Sequence, residues 1–410
     1  MKRYGLLGRT LKHSFSPLLH GLLGDYPYEL FEREEAEIPE LLKKGDLGGL
    51  NVTIPYKETV LPFLDEITDN ARRIGCVNTI LFREGRLLGY NTDYDGFALT
   101  LDAVKTDLQG AGVVILGQGA TSLTVETVCR DRGANSVIRL GRQDHPIRDP
   151  KILDADVLIN CTPVGMYPNN GSSLVELTDF TGLSAVIDVV YNPHRTRLLL
   201  DALELGIPAI DGLTMLAGQA MAAAELFTGT GLSEGTLDRV LRSMRGGTEN
   251  IILIGMPGSG KTTLGRHLSL ITGKPLKDTD EEIVKVIGMT IPEYFEKNGE
   301  AAFRQVEKDV IRRLGRETGQ IIATGGGVVK DRENHGPLKQ NGRIYVLERK
   351  LQSLETKGRP LSQGGLDTLK KLHAEREPLY RSFADAVIEN VGVTESAASI
   401  LEDFNEHCHH

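Results

Sequence analysis

The octet GMPGSGKT, Gly255–Thr262, constrains this chain more than any other segment, because it lies between an apolar run, Ile251–Ile254, and the helix-periodic LGRHLSLI. Strand, glycine-rich turn and helix in that order predict a parallel α/β domain with a phosphate-binding loop. Glycines let backbone N–H groups turn inward around phosphate oxygens, and the helix N-terminus that follows adds its dipole. In such a loop Gly255, Gly258, Ser259, Gly260 and Thr263 form the cradle, Lys261 reaches the β- and γ-phosphates, and Thr262 ligates Mg²⁺. The expected ligand is a nucleoside triphosphate. The loop begins past the middle of 410 residues, so a stretch of enzyme size precedes it.

At roughly 100 to 200 residues per domain, two or three domains are expected. A net charge of −9 comes without a basic cluster, which gives no electrostatic reason to expect nucleic acid or an anionic membrane. No stretch approaches the roughly 20 apolar residues of a membrane span, and MKRYGLLGRTLKHS lacks the apolar core of a signal peptide. A cytoplasmic protein acting on small molecules is the expectation. Cys76, Cys129, Cys161 and Cys408 have no paired spacing and read as small buried hydrophobes, while His407–His410 reads as a solvated terminus.

Upstream, Gly112–Leu116 is an apolar run opening into GQGATS, and Ser136–Leu140, Val157–Ile159 and Ala185–Val190 alternate with helix-length segments. That is the rhythm of a doubly wound lobe. Before about residue 95, YGLLG, LGGLNVTI and NTILF predict a separate α/β lobe. The expected organisation is a substrate-binding lobe over 1–98, completed by helices at about 211–244, then a Rossmann-type lobe over 99–210. A linker at 245–249 (RGGTE) and a P-loop α/β/α domain with a parallel sheet over 250–405 follow.

Gly117, Gly119 and Ala120 open a weakened dinucleotide fingerprint in which Ser122 stands in the last glycine position. After the next strand comes RLGRQDH in place of an acidic residue, so Arg139 or Arg142 meets a 2′-phosphate, with Arg142 preferred; both also read as surface arginines on a turn. The N-terminal lobe concentrates polar groups: Ser14 and Ser16 in HSFSP, Asn51, Thr53 and Lys57 in NVTIPYKE, Asn78 in GCVNT, Asn91 and Asp93 in YNTD. These segments, with NCTPVGM, DVVYNPHRT and GLTMLAGQA, resemble the shikimate dehydrogenase family over nearly all of residues 1–240.

Ketone reduction by a nicotinamide needs a proton donor at the developing alkoxide, and Lys57 suits that task with Asp93 sharing the proton. The resemblance implies that these two are the catalytic dyad and that NADP(H) is the cofactor for reduction of 3-dehydroshikimate to shikimate. Ser14, Ser16 and Tyr191 suit a carboxylate, and Thr53, Asn78, Asn91 and Gln219 suit ring hydroxyls. Met215 packs near the nicotinamide or belongs to the core. Two departures stand out: the dinucleotide loop lacks a third adjacent glycine, and Gly141 occupies a position where Asn is usual.

In the second half, KDTDEE places Asp278 and Asp280 after a short strand, where one faces Mg²⁺ and the other an acceptor hydroxyl; the same pair reads equally as a helix N-cap. With AFRQVE, the triple glycine Gly325–Gly327, KGRPLS and AEREPLY, the set resembles shikimate kinase over about 250–405. The resemblance implies that Asp280 orients the acceptor hydroxyl and that Arg304 and Arg376 grip a carboxylate. It also implies that Gly326 and Gly327 approach the ring and that Lys261 and lid Arg359 neutralise charge on the γ-phosphoryl group of ATP. Thr262 and Asp278 then hold Mg²⁺. Ion pairs of Arg304 with Glu307 and of Arg376 with Glu377 are the plain alternatives. Together the two halves imply a bifunctional enzyme of aromatic amino acid biosynthesis in which one half's product is the other's substrate.

Overall fold

The computed structural model describes residues 2–11, 14–144, 147, 149–168, 170–350 and 365–407. They divide into two compact units, Met1–Tyr191 with Thr196–Leu241, and Asn192–Arg195 with Arg242–His410.

The first unit contains two sheets. One has strands β1 (Arg3–Gly8), β2 (Tyr28–Glu32), β3 (Leu47–Val52), β4 (Glu66–Ile67), β5 (Thr79–Arg83) and β6 (Arg86–Tyr90) in the order β2-β1-β3-β5-β6-β4. Its β1, β2 and β3 are parallel, whereas β5 and β6 form an antiparallel hairpin. Glu84 and Gly85 make that turn with φ of 53° and 76°, the left-handed pair a two-residue hairpin needs. The second sheet is fully parallel: β7 (Gly112–Leu116), β8 (Ser136–Leu140), β9 (Val157–Asn160), β10 (Ala185–Asp188) and β11 (Ala209–Ile210), ordered β11-β10-β9-β7-β8.

Helix Leu213–Thr228 returns to the first sheet, where Phe227 lies over Gly49 and Tyr4. It also packs on helix Asp93–Val104 through Gly96 and Gly218, so close that a Cβ on residue 218 would stand 2.9 Å from Gly96 Cα. Small residues at this crossing bring the backbones together beside Asp93 and Gln219.

The second unit holds β12 (Asn250–Ile254), β13 (Leu276–Asp278), β14 (Ile321–Ala323), β15 (Gly342–Glu348) and β16 (Ala386–Glu389), all parallel, in the order β13-β14-β12-β15-β16. All five residues of central β12 are buried, as expected of a strand covered on both faces. Among the described residues no helix is long and apolar enough to cross a membrane.

The stretch read as a linker is corrected by the structure. Helix Thr236–Thr248 runs through Arg245, Gly246 and Gly247, and the division between units falls between Leu241 and Arg242. Buried Val240, Leu241 and Met244 anchor the helix, and Glu249 is itself buried, so its two glycines do not end it. Propensity yields here to packing of an amphipathic face.

Candidate active sites

In the first unit, β3 delivers the chain to Lys57, and Asp93 opens helix Asp93–Val104. Lys57 Nζ donates to Asp93 Oδ2 at 2.5 Å. Burial pushes the ammonium down and the Asp93 carboxylate pushes it up, with a net rise above the ordinary lysine value. The group therefore carries its proton at neutral pH, as a donor to an alkoxide must.

Around the pair runs a buried chain of polar groups. Tyr28 OH donates to Asn51 Oδ1 at 2.7 Å, Asn51 Nδ2 donates to Thr79 Oγ1 at 3.0 Å, and Thr79 meets Thr92 at 3.0 Å. Asn78 Oδ1 accepts the Thr92 N–H at 2.7 Å, fixing the residue before Asp93 and leaving the Asn78 amide to donate elsewhere. Ser14 Oγ accepts the Ser16 N–H at 3.2 Å, so the two hydroxyls share one turn, and the Tyr191 ring lies tilted against Phe15 beside them, with centroids 5.7 Å apart. Thr53 is half-buried where β3 ends, and Gln219 Nε2 is tied to Leu216 O in its own helix, leaving Oε1.

Two expectations change. Asn91 does not offer its side chain to a ligand: its amide donates to Cys76 O at 3.1 Å, its Oδ1 accepts from Tyr94 N at 3.2 Å, and it is 1% exposed. It holds the turn into the Asp93 helix. Met215 packs in the apolar cluster of Phe97, Val113 and Ile187, the core alternative. Cys76 and Cys129 are buried, Cys161 is half-buried, and Cys408 lies outside the described residues.

At the end of β7, Gly117 has φ +121°, and a Cβ there would press on Cys161 C and O at 3.2 Å. Gly119 caps helix Ala120–Asp131, and fully buried Ser122 donates to Gly119 O at 2.7 Å, filling the place of a small residue without a clash. Arg139 is held by Glu126 at 2.6 Å, whereas Arg142 is exposed just past β8. Of the two arginines, Arg142 is the one at liberty to meet a phosphate.

In the second unit Gly255, Gly258 and Gly260 have φ of 139°, 84° and 97°, conformations that favour glycine and turn the loop around Lys261. Lys261 Nζ rests on Gly255 O and Met256 O at 2.8 and 3.0 Å. A cavity of about 310 Å³ opens from the loop, lined by Lys261, Thr262, Thr263, Asp278, Asp280 and Arg349 among others. Thr262 Oγ1 donates to Asp278 Oδ2 at 2.6 Å, while Asp278 Oδ1 accepts the Asp280 N–H at 3.0 Å. Capping and ion binding are thus compatible in one carboxylate. Two hard oxygen donors suit a Mg²⁺ ion that brings its remaining ligands with the nucleotide.

Arg304 donates to buried Glu307 at 2.7 Å, whose carboxyl is raised by burial against the pull of the arginine. Its guanidinium crowds Gly327, where a Cβ would stand 2.6 Å from Nη1. Arg376 is 2% exposed and donates to Gly326 O at 2.9 Å, joined there by Tyr380 OH. The alternative Arg376–Glu377 ion pair is not present among the described contacts; Glu377 binds Arg381. Arg376 Nε and Ser259 Oγ are buried without a hydrogen-bond partner among the described residues. Arg359 and the KGRPLS lid lie outside the described residues. Sequence reading missed Arg349 and Asn390, whose Nδ2 donates to Ser259 O at 2.6 Å. Both sit just past strand ends, a position that no motif marks.

These arrangements have close counterparts. The family model of the shikimate dehydrogenase substrate binding domain matches residues 6–80, and that of shikimate kinase matches residues 257–405. A "Shikimate dehydrogenase (NADP(+))" of Clostridium perfringens is 35% identical over 60% of this chain and 99% of its own length. One from Pyrococcus abyssi is 39% identical over 56% and 93%. Among solved structures, a chorismate mutase/shikimate 5-dehydrogenase fusion of Clostridium acetobutylicum is 34% identical over 60% of this chain and 97% of its own, with a TM-score of 0.56. The Thermus thermophilus shikimate 5-dehydrogenase, in complex with NADP(H) and shikimate, is 31% identical over 59% and 99%, with a TM-score of 0.54.

Proposed function

Because the chain belongs to the shikimate dehydrogenase (NADP(+)) family and carries a shikimate kinase domain, we propose that it reduces 3-dehydroshikimate to shikimate and then phosphorylates that shikimate. NADPH, when bound, supplies the hydride, and ATP with Mg²⁺ supplies the phosphoryl group.

In the first half, Ser14, Ser16 and Tyr191 hold the substrate carboxylate, and Thr53, Asn78 and Gln219 receive ring hydroxyls. Lys57 donates a proton to the oxygen that becomes the new hydroxyl, and Asp93 keeps the amine aimed and charged. Gly117, Gly119, Ala120 and Arg142 form the dinucleotide side. In the second half, Arg304 and Arg376 clamp the carboxylate, beside backbone from Gly326 and Gly327. Asp280 orients the acceptor hydroxyl and takes its proton late in transfer. Lys261 leaves the loop carbonyls to neutralise phosphate charge, and Thr262 and Asp278 hold Mg²⁺.

The observation that carries this reading is the short Lys57–Asp93 contact in one half together with, in the other, buried Arg376 on Gly326 O, whose Nε has no hydrogen-bond partner among the described residues. The full chain incubated with 3-dehydroshikimate, NADPH and MgATP tests it, with NADPH loss and ADP formation followed together. ADP is expected to appear after NADPH is consumed, and its failure to appear sinks the two-step reading.

A further inference from the structure

Gln118 stands between Gly117 and Gly119 at the end of β7, and Gly141 follows β8, the adjacent parallel strand. The Gly117 N–H donates to Leu140 O at 2.8 Å, so the two strand ends are held side by side. A Cβ built on residue 141 would meet Gln118 Cδ and Nε2 at 2.8 Å and Oε1 at 2.9 Å. The whole carboxamide therefore lies against the Gly141 Cα, in the space that any side chain at 141 would fill. Gln118 is exposed and its carboxamide makes no hydrogen bond to a described residue, so packing alone places it.

The surrounding groups give this placement a use. Arg142 is exposed next to Gly141, while Arg139 is occupied by Glu126. Asp144 Oδ2 accepts the Gly141 N–H at 2.6 Å, which fixes the turn and sets a negative charge near it. In a doubly wound sheet the adenosine ribose lies outside the carboxyl ends of these two strands, where the residues after the second strand read its 2′ substituent. Among the described residues there, one cation, Arg142, and one carboxylate, Asp144, nearly balance. A carboxamide that donates from Nε2 adds a phosphate contact without adding charge.

We propose that Gln118 is a specificity-determining residue for the dinucleotide, donating from Nε2 to the 2′-phosphate beside Arg142, and that residue 141 is glycine because a side chain there displaces Gln118. The inference rests on the reading of the first half as NADPH-dependent.

Binding of NADPH and of NADH to the full chain, followed by nucleotide fluorescence, tests it in four proteins: wild type, Gln118→Ala, Gly141→Ala and the double variant. Loss of one hydrogen bond to a charged group predicts about tenfold weaker NADPH binding in each single variant, with NADH changed at most about twofold. The double variant should match the single ones, since both remove one contact. Gln118→Glu should weaken NADPH further and strengthen NADH. An unchanged NADPH-to-NADH ratio in Gln118→Ala, or full additivity in the double variant, overturns the proposal. Wild type that binds NADPH but does not reduce 3-dehydroshikimate refutes the catalytic reading and leaves this comparison intact. Wild type that does not bind NADPH refutes both.

Discussion

Lys57 Nζ and Asp93 Oδ2 stand 2.5 Å apart, with their side chains only 13% and 10% exposed. The contact holds the amine at the place where the proton is to be delivered. Lys57→Ala removes the proton donor and should lower the reductase rate by about 10²- to 10⁴-fold, the usual worth of a general acid. Kinase activity, assayed on supplied shikimate, should be retained. Loss of both activities from this one change would show that the sites are not independent.

The same pair predicts a pH effect of defined sign. Lys57 is pushed down by burial and up by Asp93, and the second influence prevails. Asp93→Asn removes the main influence opposing burial, so the lysine should titrate lower than in the wild type. The alkaline decline of kcat/KM for reduction should therefore move to lower pH in Asp93→Asn. An unmoved decline would assign it to another group.

Gly325 sits where a Cβ would approach Asp280 Oδ1 to 2.7 Å and Glu307 Oε1 to 3.5 Å. Gly325→Ala should displace the Asp280 carboxylate and lower kinase kcat by roughly 10²-fold, the scale of a 1 Å misplacement. The thermal midpoint should change little. A large fall in that midpoint, with kcat preserved in the folded fraction, would point to a packing role.

Arg376→Lys keeps the charge but not the planar fork that binds Gly326 O from one side. KM for shikimate should rise about tenfold or more while KM for MgATP stays within about twofold. Equal rises in both would place Arg376 in general loop support.

Glu282 lies between Lys285 and Arg313, at 2.7 and 2.6 Å, and hydrogen bonds from the two hold its carboxyl down at about 2. A depressed carboxylate contributes stability above its unfolded value, and that contribution is lost as pH falls toward its folded one. Glu282→Gln should lower the melting temperature at pH 7, and the gap to wild type should narrow between pH 4.5 and 2.

The sequence by itself carried much of this. Strand runs such as Ile251–Ile254 and Gly112–Leu116 were legible because a buried parallel strand must be apolar throughout, and the phosphate loop because only glycine tolerates its turns. Lys57, Asp93, Asp280 and Arg376 were legible as candidates because local order is preserved in motifs. Residues 245–249 misled, since two glycines look like a linker until Val240, Leu241 and Met244 are seen to bury the helix that contains them.

What only the tertiary structure decided are matters of distance between segments far apart in sequence. It closed Asn91 into backbone support, occupied Arg139 with Glu126, brought Asn390 to Ser259, and laid Gln118 over Gly141. A side chain's chemistry is local, but whether its hydrogen-bonding groups are spent or spare depends on which neighbours the fold brings within about 3 Å of them.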